Sequence, residues 1–180
     1  GGAFISLLTP WVDPALAARI PFALLLSSIL ALTWYTTFHL AKTDAAQPLP
    51  LAFGGEADPT DYARAVADGA LLALMATLGL LQLGHETTPE LLQLTGSTLF
   101  LYSLAATQTR PTQARLATLL SLPIMAASGS PTVALMLGAS GLLICGRSRH
   151  PEMRQHLPWV VGALAVAAAL ATALSQLSLP

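Results

Sequence analysis

When the apolar runs of this chain are threaded through a slab in alternating directions, seven of its eight Lys and Arg residues fall on one side. The runs are Ala15–Ala41, Tyr62–Leu83, Glu90–Ala106, Thr112–Ala127, Thr132–Gly146 and Trp159–Leu177. Most are long enough to cross about 30 Å of hydrocarbon as helix. The connections on one face carry Lys42, Arg64, Arg110, Arg115, Arg147, Arg149 and Arg154. The other face carries Arg19, with Asp13, Glu86 and Glu90 nearby. Cytoplasmic loops are enriched in Lys and Arg, so the basic face is assigned to the cytoplasm and the N-terminal end to the outside. The expected fold is all-α: a polytopic transmembrane helical bundle of about six spans, multi-pass in the inner (plasma) membrane, with no soluble domain. Residues 1–13 read as an outer interfacial segment, 42–61 as a cytoplasmic loop, and 14–41, 62–83, 90–106, 112–127, 132–146 and 159–177 as the helices.

Composition agrees with this reading. Hydrophobic residues make up 54% of the chain and charged ones 9%, and the mean hydropathy is +0.64. A soluble domain carries about a quarter charged residues, because its surface must face water. The net charge of −1 supplies no basic field for nucleic acid. Cys145, the single cysteine, has no internal disulfide partner and reads as a small packing residue. The chain opens Gly1-Gly2, with no Met and no charged segment ahead of a short apolar core. An outside N-terminus without a preceding span suggests a piece of a longer protein.

Local signals refine the helices. Asp13-Pro14 is a helix start, with Asp as N-cap and Pro where a missing N–H costs nothing. Pro21 predicts a kink near the outer interface. Asp61 or Thr60 is expected to cap the second helix, and Arg64 and Asp68, four apart, share a face and are expected to pair. Gly96 with Ser97, and Gly138 with Ser140 and Gly141, put small residues where helices can approach closely. Pro123 is expected to break the fourth span, and Ser128-Gly129-Ser130-Pro131 to turn the fourth and fifth into a hairpin.

Few residues carry chemistry. The turn Gly84–Glu90 gathers His85, Glu86 and Glu90. A His beside a carboxylate can ligate a metal or shuttle a proton, but zinc needs three or four protein ligands and the turn has no paired Cys or His-x-x-x-His. Helix capping accounts for Glu86, Thr87 and Thr88 equally well. Arg19 opposes the charge bias, so an anionic lipid phosphate or a carboxylate such as Glu90 is expected to hold it, unless it snorkels to headgroups. His39 reads as an interfacial residue. No phosphate loop, Gly-x-Ser-x-Gly or His-Glu-x-x-His is present, so no catalytic residue and no metal ligand is assigned.

The order of these segments resembles a family. The amphipathic stretch Ala3–Leu8 and then Ala17-Ala18-Arg19-Ile20-Pro21 resemble the outer segment and second span of bacterial polytopic membrane glycosyltransferases. These are the GT-C type enzymes of glycosyltransferase family 39, related to aminoarabinose transferases and protein mannosyltransferases. Thr88-Pro89-Glu90 is similar to the family's outer Thr-Pro-Asp turn, with Glu for Asp, and Ser128-Gly129-Ser130-Pro131 keeps its small-residue hairpin turn without the basic residue. The resemblance implies a central scaffold fragment of an enzyme that uses a polyprenyl-phosphate-linked sugar donor outside the cytoplasm. Its catalytic carboxylates are expected in a first outer loop upstream of Gly1. It implies Arg19, Glu86, Glu90 and His85 as substrate-binding residues. Membrane lipids, the sugar donor and the remainder of the polypeptide follow as partners. No cofactor is identified here, and a divalent cation remains compatible with the parent enzyme.

Two other classes fit the same sequence. A transporter or flippase module would use the Gly- and Ala-rich helices for sliding contacts, with the short runs 112–127 and 132–146 as a discontinuous pair. The absence of midplane charges and of repeat symmetry counts against it. A small structural membrane subunit would only pack against a partner. Orientation is testable in a Cys145→Ala background: a single cysteine at position 150 should react only with reagents that enter the cytoplasm, and labelling from outside would invert the map.

Overall fold

The computed structural model of the protein describes residues 14–49, 57–77 and 89–177. Among the described residues there are six α-helices and no strand. They are α1 Pro14–Ala41, α2 Pro59–Ala76, α3 Pro89–Ala105, α4 Pro111–Ala127, α5 Pro131–Arg147 and α6 Pro151–Leu177, with a 3-10 turn at Asp44–Ala46. Every α-helix opens on a proline. A first-turn proline has its φ preset for helix and gives up an N–H that has no intrahelical acceptor there. Six of the thirteen prolines therefore set where the helices begin.

Several expectations need correction. The cap of α2 is Asp58 rather than Asp61 or Thr60: its carboxylate accepts from the Thr60 backbone N–H at 2.8 Å, and that bond holds its pKa below the ordinary carboxylate value. Pro123 does not break α4, which runs through it; Pro21, where a kink is expected, lies inside a continuous α1. The last helix begins at Pro151 and not at Trp159, with Pro158 in its interior. An interior proline removes its own bond to the residue four back, here Leu119 in α4 and Arg154 in α6, and its ring crowds that residue's carbonyl. The neighbouring bonds suffice to carry the helix across. Residues 78–83, expected at the end of the second span, lie outside the described residues.

The helices alternate in direction, and contacts between their ends fix this. At one end Thr109 bonds His39 of α1, Met153 of α6 receives the Thr107 hydroxyl, and His156 bonds Thr118 of α4. At the opposite end the Gln93 amide of α3 lies 3.4 Å from the Ser128 carbonyl after α4. Lys42, Arg64, Arg110, Arg115, Arg147, Arg149 and Arg154 consequently share one end of the bundle, called here the basic end.

The core lies among α3 to α6. It is built from Phe100 and Leu104, Leu122, Met125 and Ala126, Ala134 and Cys145, and Val160, Ala163 and Ala167. Small residues let the helices close. A Cβ on Gly96 would strike the Met125 side chain and come within 3.1 Å of the Ser121 carbonyl oxygen, and one on Gly141 would meet the Phe100 ring. Gly129 turns the chain between α4 and α5 at φ +93°, a backbone conformation that L side chains rarely adopt. Helix α1 packs on α2 and α3, outside this core.

Two helices, over Arg19–Ala41 and Pro151–Ser175, are long and apolar enough to cross a membrane. Only 6% of the apolar window of the first and 17% of the second is buried inside the bundle. A core helix of a soluble protein buries most of such a stretch, so these two present their apolar sides outward.

Glycine substitutions separate close approach from propensity. Gly96→Ala should cost about 1–3 kcal/mol by overpacking. Gly69→Ala, with open space around its Cβ, should be neutral or stabilising by about 0.5–1 kcal/mol. Thermal unfolding in detergent checks the pair, and equal effects would remove the contact of α3 with α4 as a constraint.

Candidate functional site

Polar side chains of the described residues concentrate at the basic end, and the local sequence explains how they are held. His39, in the last turn of α1, is buried, with its Nδ1 3.0 Å from the Thr109 hydroxyl in the α3–α4 connection. Its ring lies 6.0 Å from that of Tyr102, centroid to centroid, and its Nε2 is buried without a hydrogen-bond partner. His156 of α6 is buried as well, with Nε2 2.7 Å from the Thr118 hydroxyl of α4. That hydroxyl also lies 3.0 Å from the Ala114 carbonyl. It has one proton to give, so when the proton goes to Ala114 the imidazole must donate from Nε2. Each His–Thr pair adds a polar tie between two elements: α1 to the α3–α4 connection, and α4 to α6.

Cations at this end lie against aromatic faces. The Arg115 guanidinium sits over the Trp159 ring and the Lys42 ammonium over Phe38, each 5.4 Å from the ring centroid. Trp34 stacks on Phe38 and donates from Nε1 to the Asp68 carboxylate at 2.7 Å, which ties α1 to α2. The expected Arg64–Asp68 pair does not form: Arg64 reaches Asp61 at 3.2 Å, while Asp68 turns to the indole. The sequence offered Trp34 and Asp68 on separate helices, and only the antiparallel packing of α1 on α2 brings them together.

Two concavities open here. One, of about 450 Å³, is lined by Lys42, Thr43, Asp44, Ala45, Gln108 and His150. The other is a groove of about 530 Å³ walled by α1 and α4 over a floor of α3. Its inner stretch is apolar, and it ends at Tyr102 and Gln113, whose hydroxyl and amide oxygen are 3.0 Å apart.

The residues singled out from the sequence stand elsewhere. Arg19 is exposed in the second turn of α1, and Glu90 is exposed in the first turn of α3. Because α1 and α3 run parallel, both stand at the end away from the basic loops, and no salt bridge joins them among the described residues. His85 and Glu86 lie outside the described residues. Among those described, no group of three or more His, Cys, Asp and Glu side chains converges. The gathered chemistry is that of binding: hydroxyls, amides and cations at the mouths of apolar surfaces. The chain matches no protein-family model, no curated protein and no solved structure.

Sequence alone does not pair His156 with Thr118, because the histidine falls in a polar stretch that reads as a loop, two residues ahead of Pro158. Thr118→Val should destabilise the bundle by about 1–3 kcal/mol, since it leaves a buried imidazole nitrogen unsatisfied. Adding His156→Leu should recover part of that loss. A double-mutant cycle on equilibrium unfolding in mixed micelles checks it, and strict additivity would mean that the bond fixes nothing.

Proposed function

We propose that this chain is the transmembrane scaffold portion of a glycosyltransferase that uses a polyprenyl-phosphate-linked sugar donor on the outer side of the inner membrane. The observation that carries the membrane half of this reading is the segregation of seven basic residues at one end of a bundle whose sides are apolar. Leu24, Leu72, Met136 and Leu143 are each more than 60% exposed. A surface of this kind suits hydrocarbon, and its basic end suits the cytoplasmic side.

Length matters to the number of spans. Helices α1 and α6, of 28 and 27 residues, exceed the bilayer core. Helices α2 to α5 have 18, 17, 17 and 17 residues. At 1.5 Å per residue the shorter ones reach only about 26 Å, a few Å less than the hydrocarbon thickness. Local thinning of the bilayer, or shielding by α1 and α6, accommodates them, and all six then cross.

The transferase half rests on the resemblance of Ala17-Ala18-Arg19-Ile20-Pro21 and Thr88-Pro89-Glu90 to the glycosyltransferase family. Arg19 is exposed at the end opposite the basic loops, where a planar guanidinium suits a lipid phosphate. Glu90 shares that end on the neighbouring helix. In this reading Arg19 is the anion contact and Glu90 lines the entrance, while sugar transfer itself is not assigned to a residue of this chain.

Donor binding tests it. In nanodiscs the chain should retain undecaprenyl phosphate over uncharged undecaprenol. Arg19→Ala should lower that preference to what an Arg19-independent site supplies, and Arg19→Lys should weaken it by losing the paired hydrogen bonds. Equal retention of the two lipids by the unaltered chain would remove the polyprenyl-phosphate reading.

A further inference from the structure

The groove at the basic end has a shape and a polarity that the scaffold reading does not use. Helices α1 and α4 both pack on α3 rather than on each other, which leaves a channel between them. Ser28, Ala31, Leu32 and Tyr35 recur at helical spacing along α1, and Gln113, Leu116, Ala117 and Leu120 do the same along α4. Each stripe is about 10 Å long at 1.5 Å per residue, the reach of a short stretch of hydrocarbon chain. The walls are open: Leu116 is 57% exposed, Leu120 56% and Tyr35 48%.

The groove changes character at the basic end. The Gln113 amide oxygen accepts from the Tyr102 hydroxyl at 3.0 Å and from Arg110 Nη1 at 3.4 Å. With that oxygen occupied, the Gln113 NH₂ and the rest of the Arg110 guanidinium remain as donors. Arg110, Pro111, Thr112 and Gln113 line a second hollow, of about 300 Å³, that shares Gln113 with the groove. These residues also open α4, whose first backbone N–H groups have no acceptor within the helix. The apolar groove thus runs directly into an end lined by hydrogen-bond donors and one cation.

We propose that this groove seats one acyl chain of an anionic glycerophospholipid, with its phosphate held by Arg110 and the Gln113 amide. Charge complementarity selects this occupant. A second copy of the chain would bring its own apolar helix face to the stripe, and could answer Arg110 only by aligning an acid of that same end, such as Asp44 or Glu152, with it. A neutral lipid would fill the stripe and leave the guanidinium unanswered. The leaflet on the basic side of a membrane is the anionic one, so such a lipid is abundant where the groove opens. The site rests on membrane insertion but not on sugar transfer, and it lies at the opposite end from Arg19.

The test is native mass spectrometry of the full chain released from nanodiscs of equimolar phosphatidylglycerol and phosphatidylcholine. The unaltered protein should carry phosphatidylglycerol over phosphatidylcholine by about fivefold, the scale expected for one basic residue near an anionic surface. Arg110→Gln should bring the two lipids to equal retention, and Arg110→Lys should keep most of the preference. Ala31→Phe, on the open wall of α1, should lower both adducts by filling the groove, with helix content unchanged by circular dichroism. Equal retention by the unaltered chain, a preference that survives Arg110→Gln, or a dimer without bound lipid would each overturn the proposal. Those outcomes leave the sugar-donor reading standing, whereas a chain that fails to enter nanodiscs would overturn both.

Discussion

A helix whose outer face is as apolar as its inner face gains little from burial, so its neighbours must hold it by fit. That constraint runs through this bundle. Leu72, Met136 and Leu143 lie exposed while Gly96, Gly138 and Gly141 face partner side chains on α4, α6 and α3. The outside departs from the plan of a soluble bundle: Phe100, Leu122 and Met125 fill the seam as they would there, but Leu72, Met136 and Leu143 stand where charges would cover the exterior. In the proposed six-span placement, association would draw on van der Waals contact and on hydrogen bonds between helices. Met125 against Gly96, Leu164 against Gly138 and Phe100 against Gly141 are places where that contact is close.

Polar groups then decide register. Hydroxyls at Thr95, Ser103 and Ser121 satisfy themselves on their own helix carbonyls, which makes them inert inside the bundle. The bonds that cross between helices are few and sit mostly near the basic end: Trp34 with Asp68, His39 with Thr109, His156 with Thr118. Helices α1 and α2 lie outside the central core, where the first two of these bonds supplement the packing of α1 on α2 and α3. The same crowding leaves the groove between α1 and α4, since both rest on α3 and neither fills the space between.

Much of this was legible in the chain. The apolar runs located the six helices found among the described residues, and the small-residue faces at Gly96, Gly138 and Gly141 proved to be where helices approach. The boundaries were less legible, because hydropathy marks where lipid-like sequence stops and not where helix stops. Residues 151–158 are polar enough to read as a loop, yet Pro151 starts a helix that carries them, and Pro158 costs that helix one bond rather than its continuity. The Arg64–Asp68 pair failed for another reason. Spacing along one helix cannot anticipate a competitor on another, and Trp34 takes Asp68 across the α1–α2 contact. Of the site residues read from sequence, Arg19 and Glu90 share an end because α1 and α3 run parallel, whereas the groove combines three helices and has no signature in any one of them.

The central claim is that the exposed apolar sides of all six helices face hydrocarbon. Spin labels at Leu24, Leu72, Leu101, Leu120, Met136 and Leu170, one per helix, with Gln108 and Arg149 as references, test it in lipid nanodiscs. Power saturation with oxygen and with a water-soluble nickel chelate reports which medium each label meets. Oxygen should dominate at the six apolar sites and the nickel chelate at the two references. Nickel access at Leu72, Leu101, Leu120 or Met136 would mean that the shorter helices stand in water, and the six-span account would then be wrong.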